Sequence, residues 1–302
     1  MHRPLAAAIA LTLAVSPLAA QRAYAPAVLQ LPSSTRALGM ADAFPLGSTE
    51  SDALFYNLAL SQNVAGITAG AQRWGAGATL LAASGAAEWW GGRIAIGVQT
   101  LGYDAESATV TGELDEAALF GAGAVQVSER VAAVGYTRRI KGLRVGLVAK
   151  AVEQRREGEL ETTAAFDLST GIPLGVVNIG LAVQNVGLTA EFDDNDVDSP
   201  LRVTLAAATS RAAPFGPLDV LPAVSLARTP DGTLVPAAGV EVGYWPIQGR
   251  TFFARAGLRR PAGDDLDPFT LGAGFQGDRI AIDWAWASFD DGSTHRLSLR
   301  WR

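Results

Sequence analysis

The feature that most constrains the fold of this sequence is a long series of short runs in which apolar side chains alternate with small or polar ones. The runs begin near Gly66 and continue to the end of the chain, and residues 92–100 and 143–150 alternate most regularly. A period of two residues places successive side chains on opposite faces of a β-strand. Further runs lie at residues 67–74, 119–127, 131–140, 164–171, 176–186, 201–209, 220–227, 235–244, 251–259, 269–275, 279–288 and 295–302. Tight turn signals between them, such as Asp231-Gly232 and Asp291-Gly292, predict antiparallel hairpins in up-and-down order.

The two faces of these predicted strands differ in character. In residues 279–287, isoleucine and tryptophan occupy the even positions, whereas small or charged residues occupy the odd positions. In the last run, Leu297, Leu299 and Trp301 share a face with His295, and the other face carries arginines and Ser298. One face is therefore mostly apolar and often bulky, and the other is mostly small or charged.

Three features favour a closed transmembrane β-barrel over a soluble β-sandwich, which would show the same alternation. Several runs approach the ~9–11 residues that cross a bilayer at a tilt. The chain ends inside a predicted strand, at Trp301-Arg302, so this strand is available to close a barrel. Aromatic residues collect towards run ends, as in interfacial girdles: Trp74, Trp89, Trp90, Tyr103, Tyr136, Tyr244, Trp245, Phe289 and Trp301. The sequence predicts an all-β, antiparallel up-and-down transmembrane barrel of about 14 strands.

Composition excludes several classes of function. The chain has no cysteine, which removes disulfides, thiol catalysis and cysteine-based metal centres. Its formal net charge is −6, and it lacks a basic cluster in sequence, so we expect no nucleic-acid partner. After the N-terminus no stretch reaches the ~18 uninterrupted apolar residues of a membrane-spanning helix.

Residues 1–20 have the pattern of a secretory signal peptide. His2 and Arg3 precede an apolar run at residues 5–15, and the small residues Ala19 and Ala20 suit a cleavage site after Ala20. An exported chain that folds as a transmembrane barrel is expected in the bacterial outer membrane, with the lipid bilayer as its surroundings.

Residues 21–63 lack strand alternation and are interpreted as a hatch that precedes the barrel at residues 64–302. Two pieces, residues 33–44 and 51–60, are small, apolar and compatible with short helices. They are too apolar to remain uncovered in water. We therefore predict a short, partly helical hatch in the lumen or at its mouth, anchored partly by Arg36 and Asn57 through polar contacts with the inner wall.

The hatch also carries a family resemblance. The chain resembles the PorV/PorQ family, relatives of the FadL-type outer-membrane transporters. That family opens with a Ser-x-Arg-x-Leu-Gly-Met-Gly-x-Ala-Phe stretch and then a Tyr-Asn-Pro-Ala stretch. The matching residues are Ser34, Arg36, Leu38, Gly39, Met40, Ala43 and Phe44, then Tyr56, Asn57 and Ala59. Ala41 and Leu58 depart from the pattern, and the resemblance continues at residues 166–171, 184–187, 199–202, 238–241 and 294–299.

Three hypotheses of function follow, and the resemblance implies the first two. The first is an outer-membrane barrel that acts through protein partners, with secretion-system or cargo proteins of type IX secretion as candidates. The second is a FadL-like conduit for small hydrophobic molecules, which a continuous lumen or a lateral opening would favour. The third, an outer-membrane enzyme acting on lipids, needs a nucleophile beside His295, and no motif supplies one. We therefore expect no enzyme activity, no catalytic residue, no cofactor and no metal.

Two groups of charged residues nevertheless deserve an interpretation. The acidic residues 191–198 have aspartates at alternate positions, but Ser199 and Leu205 stand where a calcium loop needs its glycine and its closing carboxylate, so a solvated hairpin is favoured. The second group consists of basic residues predicted to face the lumen: Arg93, Arg144, Lys150, Arg202, Arg255, Arg259, Arg279, Arg296 and Arg300. With Glu241 and Asp283 as partners they form either a salt-bridged filler, which we favour, or a path that attracts anions.

Overall fold

The computed structural model shows a closed antiparallel barrel around an N-terminal segment. It describes residues 26–31, 34–43, 50–60, 66–74, 78–105, 125–156, 159–187, 190–192, 195–197, 199–209, 213–260, 266–289 and 292–301. The signal peptide predicted at residues 1–20 lies outside the described residues. None of the helices within these ranges is long and apolar enough to cross a membrane.

Seventeen strands follow one another along the described chain. They are β1 Gly66–Trp74, β2 Ala78–Trp89, β3 Gly92–Ala105, β4 Val125–Ile140, β5 Leu143–Arg156, β6 Glu159–Leu174, β7 Val177–Gly187, β8 Ala190–Phe192, β9 Asn195–Val197, β10 Arg202–Thr209, β11 Ala213–Phe215, β12 Leu218–Arg228, β13 Leu234–Ile247, β14 Arg250–Arg259, β15 Leu266–Gln276, β16 Ile280–Phe289 and β17 Gly292–Trp301. Of the run predicted at residues 119–127, residues 125–127 begin β4, and residues 119–124 lie outside the described ranges. The strand β2 has no counterpart among the predicted runs.

The barrel closes because β1 pairs with β2 on one side and with β17 on the other. β10 and β11 pair with successive parts of β12 and together act as one barrel strand, whereas β8 and β9 form a separate hairpin. The described residues therefore form a barrel of 14 strands, as the sequence predicts. Closure leaves no unpaired strand edge, which a barrel in lipid requires.

The two ends of the barrel differ in the length of their connections. One end carries tight turns such as those at Gly91, Gly142 and Gly249, and the chain enters β1 and leaves β17 at this end. At the opposite end β3 ends at Ala105, β4 begins at Val125, and the β8–β9 hairpin comes between β7 and β10. We call these ends the short-turn end and the loop end. In bacterial outer-membrane barrels the short turns face the periplasm.

The outer face of the barrel is apolar, as the alternation predicts. Val98, Ile282 and Leu297 are exposed on it, whereas their neighbours Gln99 and Ala281 are buried inside. Exposed aromatic residues gather at the short-turn end: Trp89, Trp90, Tyr244, Trp245 and Trp301. The girdle prediction is wrong for Tyr103. Its side chain points inward like that of Leu101, two residues earlier on the same strand, and is buried in the lumen.

The hatch consists of short helical turns inside the barrel. They are the 3₁₀ helix Ala27–Leu29, the α-helix α1 Thr35–Leu38, and the 3₁₀ helices Ser51–Phe55 and Leu58–Leu60. The Ser34 side chain caps α1 by accepting a hydrogen bond from the backbone N–H of Ala37. α1 is only about one turn long. The chain then turns through Ala41 and Asp42, which both have positive φ and cannot continue a helix. The short helices predicted for this segment are confirmed.

Candidate functional site: the lumen and its hatch

A chain of alternating charges runs across the lumen and starts and ends in the hatch. Arg36 binds Glu241 of β13 through two hydrogen bonds of 2.8 and 2.5 Å. Glu241 also accepts from Arg255 of β14 at 2.6 Å. Three further ion pairs continue the chain: Arg255–Asp283 at 2.7 Å, Arg300–Asp283 at 3.6 Å and Arg300–Glu50 at 3.0 Å. Three arginines and three carboxylates are thus buried together, and each charge has an opposite neighbour, as burial demands.

A second set of polar contacts holds the hatch against the remaining wall. Asp42 pairs with Arg259 of β14 at 3.1 Å. Asn57 donates to the backbone carbonyls of Thr170 and Leu181, at 3.3 and 3.2 Å. The anchors predicted at Arg36 and Asn57 are therefore confirmed.

Glycines in the barrel wall make room for residues of the hatch. A Cβ at Gly257 would overlap the backbone of Met40, and one at Gly239 would lie 2.8 Å from the Met40 Cβ. On the opposite wall, a Cβ at Gly171 or Gly180 would overlap the Leu60 side chain. These positions lack side chains so that the hatch can approach the strands closely.

One side of the lumen, formed by β2 to β5, is an apolar strip that the hatch covers. Towards the loop end, Val28 and Leu31 of the hatch pack on inward residues of these strands. Towards the short-turn end, Leu54, Phe55 and Leu58 pack on a second group. The wall residues of the strip are Ala78, Leu80, Leu101, Tyr103, Val127, Val131 and Val152 in the first group, and Ala95, Ala133 and Val148 in the second. Both groups lie on β3, β4 and β5, and the buried polar side chains of Gln99 and Lys150 lie between them.

Glu129 of β4 interrupts this strip and holds the first hatch turn. It is fully buried and accepts hydrogen bonds from the Val28 backbone N–H at 2.7 Å, the Tyr103 hydroxyl at 3.1 Å and the Gln154 amide at 2.8 Å. Sequence analysis did not single out Glu129, although its odd position on β4 matches the inward parity of Val127 and Val131. The contact fixes the hatch near the loop end.

A further buried ion pair lies where the wall is irregular. Lys150 of β5 binds Asp167 of β6 and the Asn185 side chain of β7, both at 2.8 Å. The register between β6 and β7 shifts at Phe166/Leu168, and Asn185 has a φ of 58°. The cluster satisfies the polar groups of this bulge, and Asn185 also donates to the Leu29 carbonyl of the hatch at 3.3 Å.

The predicted lumen-facing basic residues divide into four groups. Arg255, Arg259, Arg300 and Lys150 form the ion pairs described above, and Arg296 donates to Gln72 at 3.2 Å. These contacts support the interpretation as a salt-bridged filler. Arg202 lines a small lumen cavity, and Arg93 and Arg144 line a cavity at the short-turn end. The prediction for Arg279 is wrong: it precedes β16 in an exposed turn, where the strand's inward parity no longer applies.

The remaining predicted positions lie away from the lumen. His295 is exposed on the outer face, with its ring 6.0 Å from that of Trp284. The backbone of the acidic segment forms the β8–β9 hairpin near the loop end. Within the described residues no group of three or more histidine or acidic side chains is placed to hold a metal ion.

Burial changes the titration of Asp52 in the hatch. The pKa of Asp52 is raised to about 7, mainly by loss of solvent and then by the neighbouring Glu50 carboxylate, whereas Ser34, Arg296 and Arg300 oppose the rise. Burial also raises the pKa of Tyr56, whose hydroxyl accepts a hydrogen bond from the Ser34 N–H at 3.0 Å. The docked hatch therefore favours a protonated Asp52.

The docked hatch leaves little open space beside Asn57. A cavity next to Asn57 and Arg202 has a volume of about 30 Å³, which holds about one water molecule. A larger solute would have to displace part of the hatch to pass at this point.

Comparison with known proteins shows a shared fold. No protein-family model and no curated protein sequence matches the chain. The structure is similar to the Pseudomonas putida toluene transporter TodX, with a TM-score of 0.58 and 10% identity over 92% of this chain and 97% of TodX. It is also similar to the Ralstonia pickettii toluene transporter TbuX, with a TM-score of 0.53 and 11% identity over 89% of this chain and 97% of TbuX. The chain therefore has the barrel fold of these transporters.

Proposed function

We propose that this protein is a conduit for small hydrophobic molecules across the bacterial outer membrane. The proposal includes export by a signal peptide at residues 1–20, a hatch at residues 21–63 and a barrel at residues 64–302. The observation that carries it is the apolar strip on β2 to β5, which the hatch covers with apolar side chains. The shared fold with TodX and TbuX, both described as toluene transporters, supports the same function.

The contacts of the hatch fit a movable cover. Towards β13 to β17 it is fixed by buried ion pairs, which are strong only at close range and in one geometry. Towards β2 to β5 it is mostly held by apolar packing, which a hydrophobic passenger reproduces when it takes the place of Leu54 or Phe55. Displacement on the apolar side opens a path whose lining suits an apolar solute.

We favour this function over a role as a partner in type IX secretion. TodX and TbuX, which share the barrel fold, are toluene transporters. The apolar strip also faces the lumen, where a folded partner protein does not reach. An enzyme acting on lipids is disfavoured because His295 lies on the outer face and its one polar side-chain neighbour is Ser293, at 3.5 Å, among the described contacts.

Locking the hatch tests the proposal. The hydroxyl oxygens of Ser51 in the hatch and Ser84 in β2 lie 2.8 Å apart, and the chain contains no other cysteine to interfere. A Ser51→Cys, Ser84→Cys variant can therefore form a single disulfide. In intact cells expressing the protein, uptake of radiolabelled toluene is expected to fall to background when the disulfide is oxidised and to recover on reduction. Ser51→Cys alone is the control, and uptake that persists in the locked protein would refute the conduit.

Changing the strip tests its role as the lining. Val131→Thr with Val152→Thr keeps side-chain shape but places two hydroxyls in the strip, and desolvating them costs ~1–3 kcal/mol each. Toluene uptake is expected to fall at least about tenfold. Val134→Thr is the matched control, because Val134 lies on the same strand and faces outward. Equal uptake by the two variants would contradict the proposed path.

A further inference from the structure

A cavity of about 520 Å³ lies at the short-turn end, between the β2–β3 and β4–β5 turns. Four arginines line it: Arg93, Arg138, Arg139 and Arg144. The only acidic residue in its described lining is Glu88, whose side chain is 81% exposed and pairs with Arg93 at 3.2 Å. The cavity is thus strongly basic, in a chain whose net charge is −6.

Apart from the Arg93–Glu88 pair, the arginines lie next to one another rather than next to carboxylates. Arg139 and Arg144 are direct partners across β4 and β5, and Arg93 lies opposite Thr137, two residues before Arg139. Like charges directly opposite each other destabilise a sheet. One terminal nitrogen of Arg144 is buried without a hydrogen-bond partner. The charge chain of the lumen balances every arginine, so this unbalanced cluster calls for an anion from outside the chain.

The rim of the cavity lies at the depth of a membrane interface. Trp89 and Trp90 line it, are 53% and 83% exposed, and have ring centroids 5.6 Å apart. Tyr136 meets Trp89 edge-on at 6.1 Å and donates to the Trp90 carbonyl at 3.1 Å. Tryptophan and tyrosine concentrate where lipid headgroups meet the hydrocarbon region. An anion that enters over this rim comes from the lipid leaflet at the short-turn end.

We propose that the cavity binds the phosphate of an anionic phospholipid headgroup. Guanidinium groups present paired N–H donors that match phosphate oxygens, and Arg139 and Arg144 converge from adjacent strands. The tryptophans border the same cavity, so they contact the glycerol and the first acyl carbons while the phosphate neutralises the arginines. A bound headgroup also fills the space beside Ala59, the hatch residue that lines the cavity.

The experiment compares lipid retention by native mass spectrometry. The protein is reconstituted in nanodiscs of equal parts phosphatidylglycerol and phosphatidylcholine and then released into mild detergent. The wild type is expected to retain phosphatidylglycerol in preference to phosphatidylcholine. An Arg139→Gln, Arg144→Gln variant is expected to bind phosphatidylglycerol at least about tenfold more weakly, because it loses two charge-assisted hydrogen-bonding groups. Arg250→Gln, an exposed arginine at another short turn, is the control and is expected to behave as wild type.

Two outcomes overturn the proposal even if the double variant fails to fold. Equal retention of the two lipids by wild-type protein would show that the cavity does not select an anionic headgroup. Displacement of phosphatidylglycerol by an equal concentration of inorganic phosphate would show that the site binds a free anion. A third outcome applies if the double variant folds: equal loss of phosphatidylglycerol from Arg250→Gln and from the double variant would show that only the net charge matters.

Discussion

At the residue scale, the lumen is organised by charge neutrality. Every carboxylate of the charge chain from Arg36 to Glu50 has an arginine within 3.0 Å. Removing one partner of a buried pair leaves an uncompensated charge and costs ~3–5 kcal/mol, although the intact pair contributes less than that. Substitution of a single residue in this charge chain is therefore expected to weaken hatch docking.

Arg36→Gln is expected to weaken hatch docking by about 3 kcal/mol, because Glu241 then keeps only Arg255. Hydrogen exchange of the backbone amides in residues 34–43 should speed up by roughly a hundredfold, since 1.4 kcal/mol corresponds to tenfold. Arg250→Gln removes the same charge from the exposed surface and should leave exchange unchanged. Equal exchange in Arg36→Gln and wild type would show that the pair does not hold the hatch.

Asp52 makes hatch docking depend on pH. Its pKa is raised to about 7 in the docked hatch and is near 3.8 when it is free, so the docked state binds more protons. Docking is therefore strongest below about pH 4 and weakens as the pH rises towards 7. Hydrogen exchange of residues 50–60, corrected for its intrinsic rate, should be faster at pH 8 than at pH 5. Asp52→Asn should remove most of this difference, and an unchanged difference would assign it to another group.

At the element scale, the alternation of apolar and polar residues predicted most strands but not β2, whose two faces have similar side chains. β2 was missed because small alanines occupy both its faces, for example Ala82 and Ala83, so its pairing with β1 and β3 defines it rather than its own pattern. The anchors Arg36 and Asn57 could be predicted because polar groups are uncommon in the apolar hatch. The need for glycine at position 171 could not be predicted. It arises only because the Leu60 side chain, 111 residues earlier in the chain, packs against this position in the folded barrel.

The outer face is expected to tolerate charge according to depth. Val98, six residues beyond Gly92 at the start of β3, is exposed to lipid, so Val98→Arg should destabilise the folded barrel by ~2–4 kcal/mol. Ile247→Arg, at the short-turn end of β13, should cost only about 0–1 kcal/mol. Urea titration after refolding into lipid vesicles measures both. Equal effects would contradict the assignment of Val98 to the hydrocarbon region.

At the scale of the whole molecule, the ring of strands and the hatch are separable. All strand pairing of the barrel lies between Gly66 and Trp301, so none of its backbone ladder depends on the hatch. The hatch contributes side-chain contacts to the lumen, with a cavity of about 30 Å³ beside Asn57 and the larger basic cavity beside Ala59 at the short-turn end. We therefore expect the strands alone to suffice for insertion, and the hatch to close the lumen.

Deleting residues 21–63 while keeping residues 1–20 should give a barrel that still inserts. The buried arginines and carboxylates of the wall would then be hydrated in an open lumen, and single-channel conductance in planar bilayers should rise. Heat-modifiable migration in electrophoresis checks that the barrel has formed. An inserted barrel with wild-type conductance would show that the hatch does not close the lumen.

The charge chain also has a consequence for the order of assembly. The hatch is made first, yet its ionic partners lie far along the chain, with Arg36 separated from Glu241 by 205 residues and Glu50 from Arg300 by 250 residues. Contacts that close such long segments form late in folding. The early strands offer the hatch apolar contacts and the polar contacts of Glu129 and Asn57. Arg36 and Asp42 meet their ionic partners only with β13 and β14, and Glu50 meets Arg300 only with β17. The last strand to arrive thus completes two closures at once, that of the wall against β1 and that of the hatch against the wall.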